Sequence, residues 1–270
     1  MKNTILITGA SSGIGKATAK LFQAKGWNVI ATMRTPEKDT ELRALDNVLV
    51  TKLDVVDLAS IANAVAEGIK KFGKIDVLVN NAGYGAYGTL ESFSRESIIK
   101  QFDTNVIGLL DVTKAVLPHF RGNKSGIIIN ISSIGGKMTF PLGTLYHGTK
   151  FAVEGLSEAL SYEVEQFGGK VKIVQPGAIA TEFGHSLEFS SDDSQTEYSY
   201  IVDKTATAFA PFFENASSPD VVANVIYTAA TDGTNQLRYT AGDDAAAIIA
   251  QRKQADDETF IGGMKKQFGL

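Results

Sequence analysis

Short apolar runs separated by stretches of helical period constrain this chain most. TILIT (4–8), NVIATM (28–33), VLVTKLD (48–54), IDVLVNNAG (75–83), GIIINISS (126–133), VKIVQPG (171–177) and a run inside NQLRYTAG (235–242) read as strands. Several are continuous, not alternating, which is the pattern of strands covered on both faces. Helical spacing fills the gaps at 13–25, 58–72, 94–120 and 146–165. Strand then helix, repeated, predicts an α/β fold: a doubly wound parallel sheet of about seven strands with helices on both faces.

A length of 270 residues suits one large domain spanning 1–270. The segment 182–219 breaks the alternation, mixing Ser, Asp and Glu with Phe183, Phe189, Tyr198, Tyr200, Phe209 and Phe212. An insertion of this kind after a sheet strand is either a substrate loop or lid, or a pair of surface helices.

A net charge of −4 argues against broad nucleic-acid or anionic-membrane binding. The absence of cysteine removes disulfides, thiol nucleophiles and thiolate metal sites. His119, His147 and His185 are too scattered for a zinc site, so no metal is expected. No run approaches the roughly 20 apolar residues of a membrane span, and the short apolar start is not a signal peptide. A cytoplasmic protein is expected.

The first strand runs into TGASSGIGKATA (8–19), which has the composition of a phosphate cradle. A nucleotide-hydrolysing P-loop needs a glycine at Ala10 and a hydroxyl at Ala17, and has neither. The dinucleotide reading fits: Gly9 for the tight turn, Gly13 for backbone approach to a pyrophosphate, Gly15 for close helix packing. The helix start presents free N–H groups and a positive dipole end. Lys16 is then an exposed residue of the first helical turn.

Three further elements add chemistry. Asn80-Asn81-Ala82-Gly83 closes the fourth strand, Ser132-Ser133 closes the fifth, and Tyr146 and Lys150 form YxxxK. Residues i and i+4 share one helical face. An ammonium beside a phenol favours the phenolate, which makes the pair a candidate acid/base. Together with TGxxxGIG, this ordered set resembles the short-chain dehydrogenase/reductase family in its single-domain branch, motif by motif over about 4–181.

The resemblance implies a Rossmann-type fold and a nicotinamide dinucleotide. It places Gly9, Ser11, Ser12, Gly13, Ile14 and Gly15 at the pyrophosphate, Asp54 and Val55 near the adenine, and Asn81, Ala82 and Gly83 along the cofactor. Pro176, Gly177, Ile179 and Thr181 would border the nicotinamide, and Tyr146 and Lys150 its ribose. It implies the catalytic set Asn105, Ser133, Tyr146 and Lys150. Ser132 competes with Ser133, but strand alternation lets only one face the site, and Ser133 stands thirteen residues before Tyr146. Asn105 would hold a water that links the lysine to solvent. A homodimer or homotetramer is implied by analogy.

The end of the second strand bears on the cofactor. NAD enzymes carry a carboxylate there, whereas an arginine accommodates the 2′-phosphate of NADP. Met33 is followed by Arg34, so NADP(H) is expected over NAD(H). The other basic marker of the family, just before the second glycine, is replaced by Ser12. The expected activity is reversible hydride transfer between the nicotinamide and a small carbonyl or secondary-alcohol substrate. Tyr84, Tyr87, Phe140, Leu142 and the aromatics after residue 182 suggest an apolar pocket wall. The alternatives are a nicotinamide-dependent epimerase or dehydratase, and a non-catalytic dinucleotide-binding regulator.

Overall fold

The computed structural model describes residues 2–182 and 187–270, with Phe212 and Phe213 described by backbone alone. Seven strands form one parallel sheet. Its order is β3 (Val48–Lys52), β2 (Asn28–Met33), β1 (Thr4–Ile7), β4 (Val77–Asn80), β6 (Gly126–Ile131), β7 (Gly169–Pro176) and β9 (Arg238–Ala241). The chain builds outward from β1 through β2 to β3, then returns to place β4 on the other side of β1. That reversal opens a crevice beyond the carboxyl ends of β1 and β4, where ligands bind in open α/β sheets.

The pleat explains the continuous apolar runs. Ile5 is in register with Val29 and Val77, and Leu6 with Ile30 and Leu78. Ile5, Val29 and Val77 belong to a core shared with Phe22 of α1 (Gly13–Ala24) and with Val222 and Ile226 of α7 (Pro219–Thr231). Leu6, Ile30 and Leu78 belong to the opposite core. It takes Ile61 from α2 (Leu58–Phe72), Val112 and Val116 from α4 (Gly108–Asn123), and Val164 from α5 (Thr144–Glu165). Every position of β1 and β4 is therefore buried, and each buried Ile, Leu or Val contributes about 1.5–3 kcal/mol.

The stretch 94–120 is not one helix. α3 (Arg95–Phe102) passes through a wide π turn, Asp103–Ile107, into α4. Asn105 sits in that turn, with its amide engaged by tertiary partners. Nδ2 donates to Tyr84 O at 2.8 Å and to Thr149 Oγ1 at 3.1 Å, and Oδ1 accepts from Tyr84 N at 3.1 Å. The extra residue in the turn goes with this lateral anchoring, a common feature of π bulges.

Within 182–219, β8 (Glu188–Ser190) pairs with β5 (Ala86–Gly88) in a separate two-stranded parallel ribbon. Next comes α6 (Ser199–Glu214). Phe183, His185 and the side chain of Phe212 lie outside the described residues. After β9 the chain adds α8 (Asp243–Gln254) and α9 (Asp257–Phe268), and α9 sends Phe260, Met264 and Phe268 against Phe140 and Phe209. Behind β9, the buried Lys172 donates to Asp232 Oδ1 at 2.6 Å and to Tyr239 Oη at 2.8 Å, and Tyr239 Oη donates to Asp232 Oδ2 at 2.7 Å. Among the described residues no helix is long and apolar enough to cross a membrane.

Candidate active site

Two residues hold the glycine turn. Thr8 Oγ1 accepts from Asn81 N and Ala82 N, each at 3.0 Å. The Asn81 amide donates to Thr8 O at 3.0 Å and Gly9 O at 3.1 Å. Asn81 thus braces the turn from β4, and Thr8, absent from the sequence-derived set, is its counterpart. Gly9 and Gly13 take φ of 68° and 52°, the left-handed region that suits glycine. At Gly15 an added Cβ would stand 2.2 Å from Gly9 O, so α1 packs directly on the turn. The Ser12 side chain caps no N–H of α1, which leaves the first-turn donors directed at the crevice. Lys16 is not free, because it and Lys20 both pair with Glu41.

A cavity of about 1440 Å³ runs from this turn along the carboxyl ends of the strands to α6. Gly9, Ser11, Ser12, Gly13 and Ile14 line its start, with Arg34, Asp54 and Val55 alongside. Asn81, Ala82 and Gly83 follow, then Ser133, Tyr146 and Lys150, with Pro176, Gly177, Ile179 and Thr181 opposite. Gly15 packs behind the turn, and Asn105 stands behind the wall at Tyr84. Arg34 is exposed at the cavity edge beside the buried Met33. Two cradling glycines, an uncapped helix start and an elongated crevice fit a dinucleotide.

At the centre, Ser133 leaves β6 in extended conformation and opens a short 3-10 turn, accepting from Gly135 N at 3.0 Å. Its hydroxyl acts on the Tyr146 phenol across the same cavity. Ser132, which also lines the cavity, is buried against Gly136, and its Oγ finds no partner among the described residues. Tyr146 stands in the first turn of α5. Burial pushes its phenol above the usual tyrosine value, and the Ser133 hydroxyl opposes that rise. Lys150 lies one turn on, its Nζ 5.8 Å from the Tyr146 ring centroid and donating to Ile131 O at 2.9 Å. Burial lowers its pKa to about 8, against the pull of the Glu154 carboxylate. The group that favours the phenolate here is therefore the serine, because the ammonium is turned toward a backbone carbonyl.

His147, next to the tyrosine, ties α5 to the loop facing the cavity. Nδ1–H donates to Gly135 O at 2.9 Å, and Nε2 accepts from Phe140 N at 2.9 Å. Burial holds it neutral, with its pKa pushed down to about 4. Leu142 in that loop has φ 62°, a strained value for leucine, and its carbonyl accepts from Gly88 N at 2.8 Å. Nothing in the spacing of the sequence marks His147, because both of its partners are backbone atoms.

Beyond Tyr146 the cavity wall is aromatic. Tyr87 lies 5.5 Å from the Tyr146 ring centroid, and Phe209 lies 5.9 Å from Tyr87 and 5.6 Å from Phe140. Tyr84, Leu142 and Phe189 line the same space. Tyr198 and Tyr200 do not. Their hydroxyls donate outward, to Glu91 at 3.1 Å and to Gly269 O at 2.7 Å.

A doubly wound sheet with a dinucleotide crevice and a tyrosine–lysine–serine centre defines an oxidoreductase that works with a nicotinamide dinucleotide. The chain belongs to the short-chain dehydrogenase family, whose model matches residues 3–191. An uncharacterised oxidoreductase of Schizosaccharomyces pombe is 48% identical over 238 residues, 88% of this chain and 100% of that protein. A 3-ketodihydrosphingosine reductase of Bacteroides thetaiotaomicron is 44% identical over 193 residues, 72% of this chain and 70% of that one. The solved structure of ElxO with NADP bound is 32% identical with a TM-score of 0.74, covering 89% of this chain and 98% of that one.

Proposed function

We propose that this protein is an NADP(H)-dependent carbonyl reductase, reversible as an alcohol dehydrogenase, whose substrates are small apolar ketones or aldehydes. The carrying observation is that Ser133, Tyr146 and Lys150 line one cavity together, where the dinucleotide crevice meets the aromatic wall. The substrate oxygen lies between the Ser133 and Tyr146 hydroxyls. NADPH held in the crevice would supply the hydride for the carbonyl carbon. Tyr146, kept protonated by burial, gives its proton to the developing alkoxide. Ser133 then donates a hydrogen bond to the new phenolate, which regains its proton from solvent, and Lys150 would bind the nicotinamide ribose. Asn105 is a positioning residue, fastening the π turn to Tyr84 and Thr149.

Gly9 to Ile14 would hold the pyrophosphate, Asp54 and Val55 the adenine side, and 176–181 the nicotinamide side. Arg34 supports NADP(H), since its exposed guanidinium at the crevice edge follows Met33 where a carboxylate would favour NAD(H). ElxO, the relative with NADP bound, is consistent with that preference. The apolar substrate follows from Tyr87, Phe140, Leu142 and Phe209, and the segment around α6 would serve as the lid. A homodimer or homotetramer would cover Ile107, Phe151 and Tyr162, which are exposed at 47%, 45% and 66% on the π turn before α4 and on α5.

The test is a cofactor-oxidation screen of NADPH against NADH over aldehydes and ketones, repeated with Arg34→Ala. The expected result is turnover with apolar carbonyls, and an NADPH preference that falls about tenfold or more in the variant. Preference for NADH in the wild type contradicts the Arg34 assignment, and no oxidation with any carbonyl contradicts the reductase reading.

A further inference from the structure

Threonines inside helices here usually satisfy their own hydroxyls. Thr18, Thr113, Thr207, Thr228 and Thr231 each donate to the carbonyl four residues back, at 2.7, 2.8, 2.9, 3.1 and 2.7 Å. Thr205 does not, although it lies on the same helix, α6, as Thr207. It is 3% exposed, and its Oγ1 has no partner among the described residues. An unmatched buried hydroxyl is costly, and an apolar residue of the same shape avoids the cost. Thr205 lines the substrate cavity.

Its position relative to the reacting centre follows from the helix. Thr205 and Phe209 are four apart and share a face. Phe209 packs on Tyr87, and Tyr87 packs on Tyr146, with ring centroids 5.9 and 5.5 Å apart. Burial and the neighbouring Tyr146 phenol push Tyr87 well above the ordinary tyrosine value, so its O–H remains a donor. Phe140, Leu142 and Phe209 on this wall offer only hydrocarbon, and Tyr84, which lines the same cavity, adds one more hydroxyl without a partner among the described residues.

We propose that Thr205 and Tyr87 form a polar subsite that reads a second hydroxyl group on the substrate, close to the carbonyl that Ser133 and Tyr146 receive. The preferred substrate class is then an apolar hydroxyketone. A hydroxyl oxygen can accept from Tyr87 and donate to Thr205, whereas an ammonium has no lone pair to offer Tyr87. The subsite rests on the reductase reading above. It adds a requirement that reading does not contain.

The test compares 1-hydroxy-2-decanone with 2-decanone, with NADPH, in the wild type and in Thr205→Val, Thr205→Ser and Tyr87→Phe. The readout is the ratio of the two kcat/KM values, which general damage to the fold leaves unchanged. The wild type is expected to favour the hydroxyketone at least about tenfold. Thr205→Val and Tyr87→Phe are expected to bring that ratio down to about 2 or less, with Thr205→Ser retaining most of it. Equal efficiency on both ketones in the wild type, or an unchanged ratio in Thr205→Val, overturns the subsite and leaves the reductase standing. Failure to reduce either compound, or any carbonyl in the wider screen, removes the reductase reading and this inference with it.

Discussion

Replacing Gly15 with alanine tests how the dinucleotide turn is built. The new Cβ would lie 2.2 Å from Gly9 O, 2.9 Å from Gly9 C and 2.7 Å from Asn81 Nδ2. Two of these atoms are backbone, and the third belongs to the amide that braces the turn, so no flexible side chain can yield. Relief requires α1 and the turn to separate by about 1 Å, an overpacking cost of about 1–3 kcal/mol. Alanine recovers up to about 1 kcal/mol of helix propensity. At the upper end of that cost the net loss is about 2 kcal/mol, or a Tm lower by about 4–8 °C in a chain of this size. The same separation withdraws the α1 N–H donors from the phosphates, and NADPH affinity should fall about tenfold to a hundredfold. Thermal unfolding and fluorescence titration with NADPH measure both effects. Gly262→Ala is the control, because its Cβ meets nothing within 4 Å, and it should stabilise by up to about 1 kcal/mol through helix propensity. A Gly15→Ala protein with wild-type Tm and NADPH affinity would refute the packing reasoning.

Two further predictions concern the frame of the site. His147 is neutral in the fold, with its pKa near 4 against an ordinary 6.5, so between those values the unfolded chain binds a proton that the folded chain rejects. Stability should therefore fall as pH drops from about 6.5 toward about 4, by up to about 3 kcal/mol, and urea midpoints should fall more steeply in the wild type than in His147→Asn. Lys172→Met removes the buried cation that holds Tyr239 and the half-buried Asp232, and should cost about 1–3 kcal/mol in urea unfolding, with the NADPH dissociation constant changed by less than about twofold.

The parallel sheet was legible because strands buried on both faces must be apolar throughout, and Ile5, Leu6 and Ile7 declare that without tertiary information. The glycine turn, Ser133, Tyr146 and Lys150 were legible because their spacing is local to a strand end or a helical turn. The π turn at Asn105 was not, since the 3.6-residue period continues through 94–120 and the anchor at Tyr84 lies far off in sequence. Thr8 and His147 were missed for the same reason, as both act on backbone atoms that only the fold brings near. Tyr198 and Tyr200 were misplaced because aromatic composition cannot say which face of a segment turns inward. The influence of Lys150 on Tyr146, read from helical spacing, omitted Ile131 O, which captures the ammonium.

The central claim is that Tyr146 gives the proton that completes carbonyl reduction. Single-turnover reduction of an established carbonyl substrate by Tyr146→Phe, with NADPH binding measured on the same protein, tests it most directly. The rate of the chemical step should fall at least about a hundredfold while NADPH affinity stays within about threefold of wild type. A phenylalanine variant that reduces the substrate at close to the wild-type rate would contradict the account.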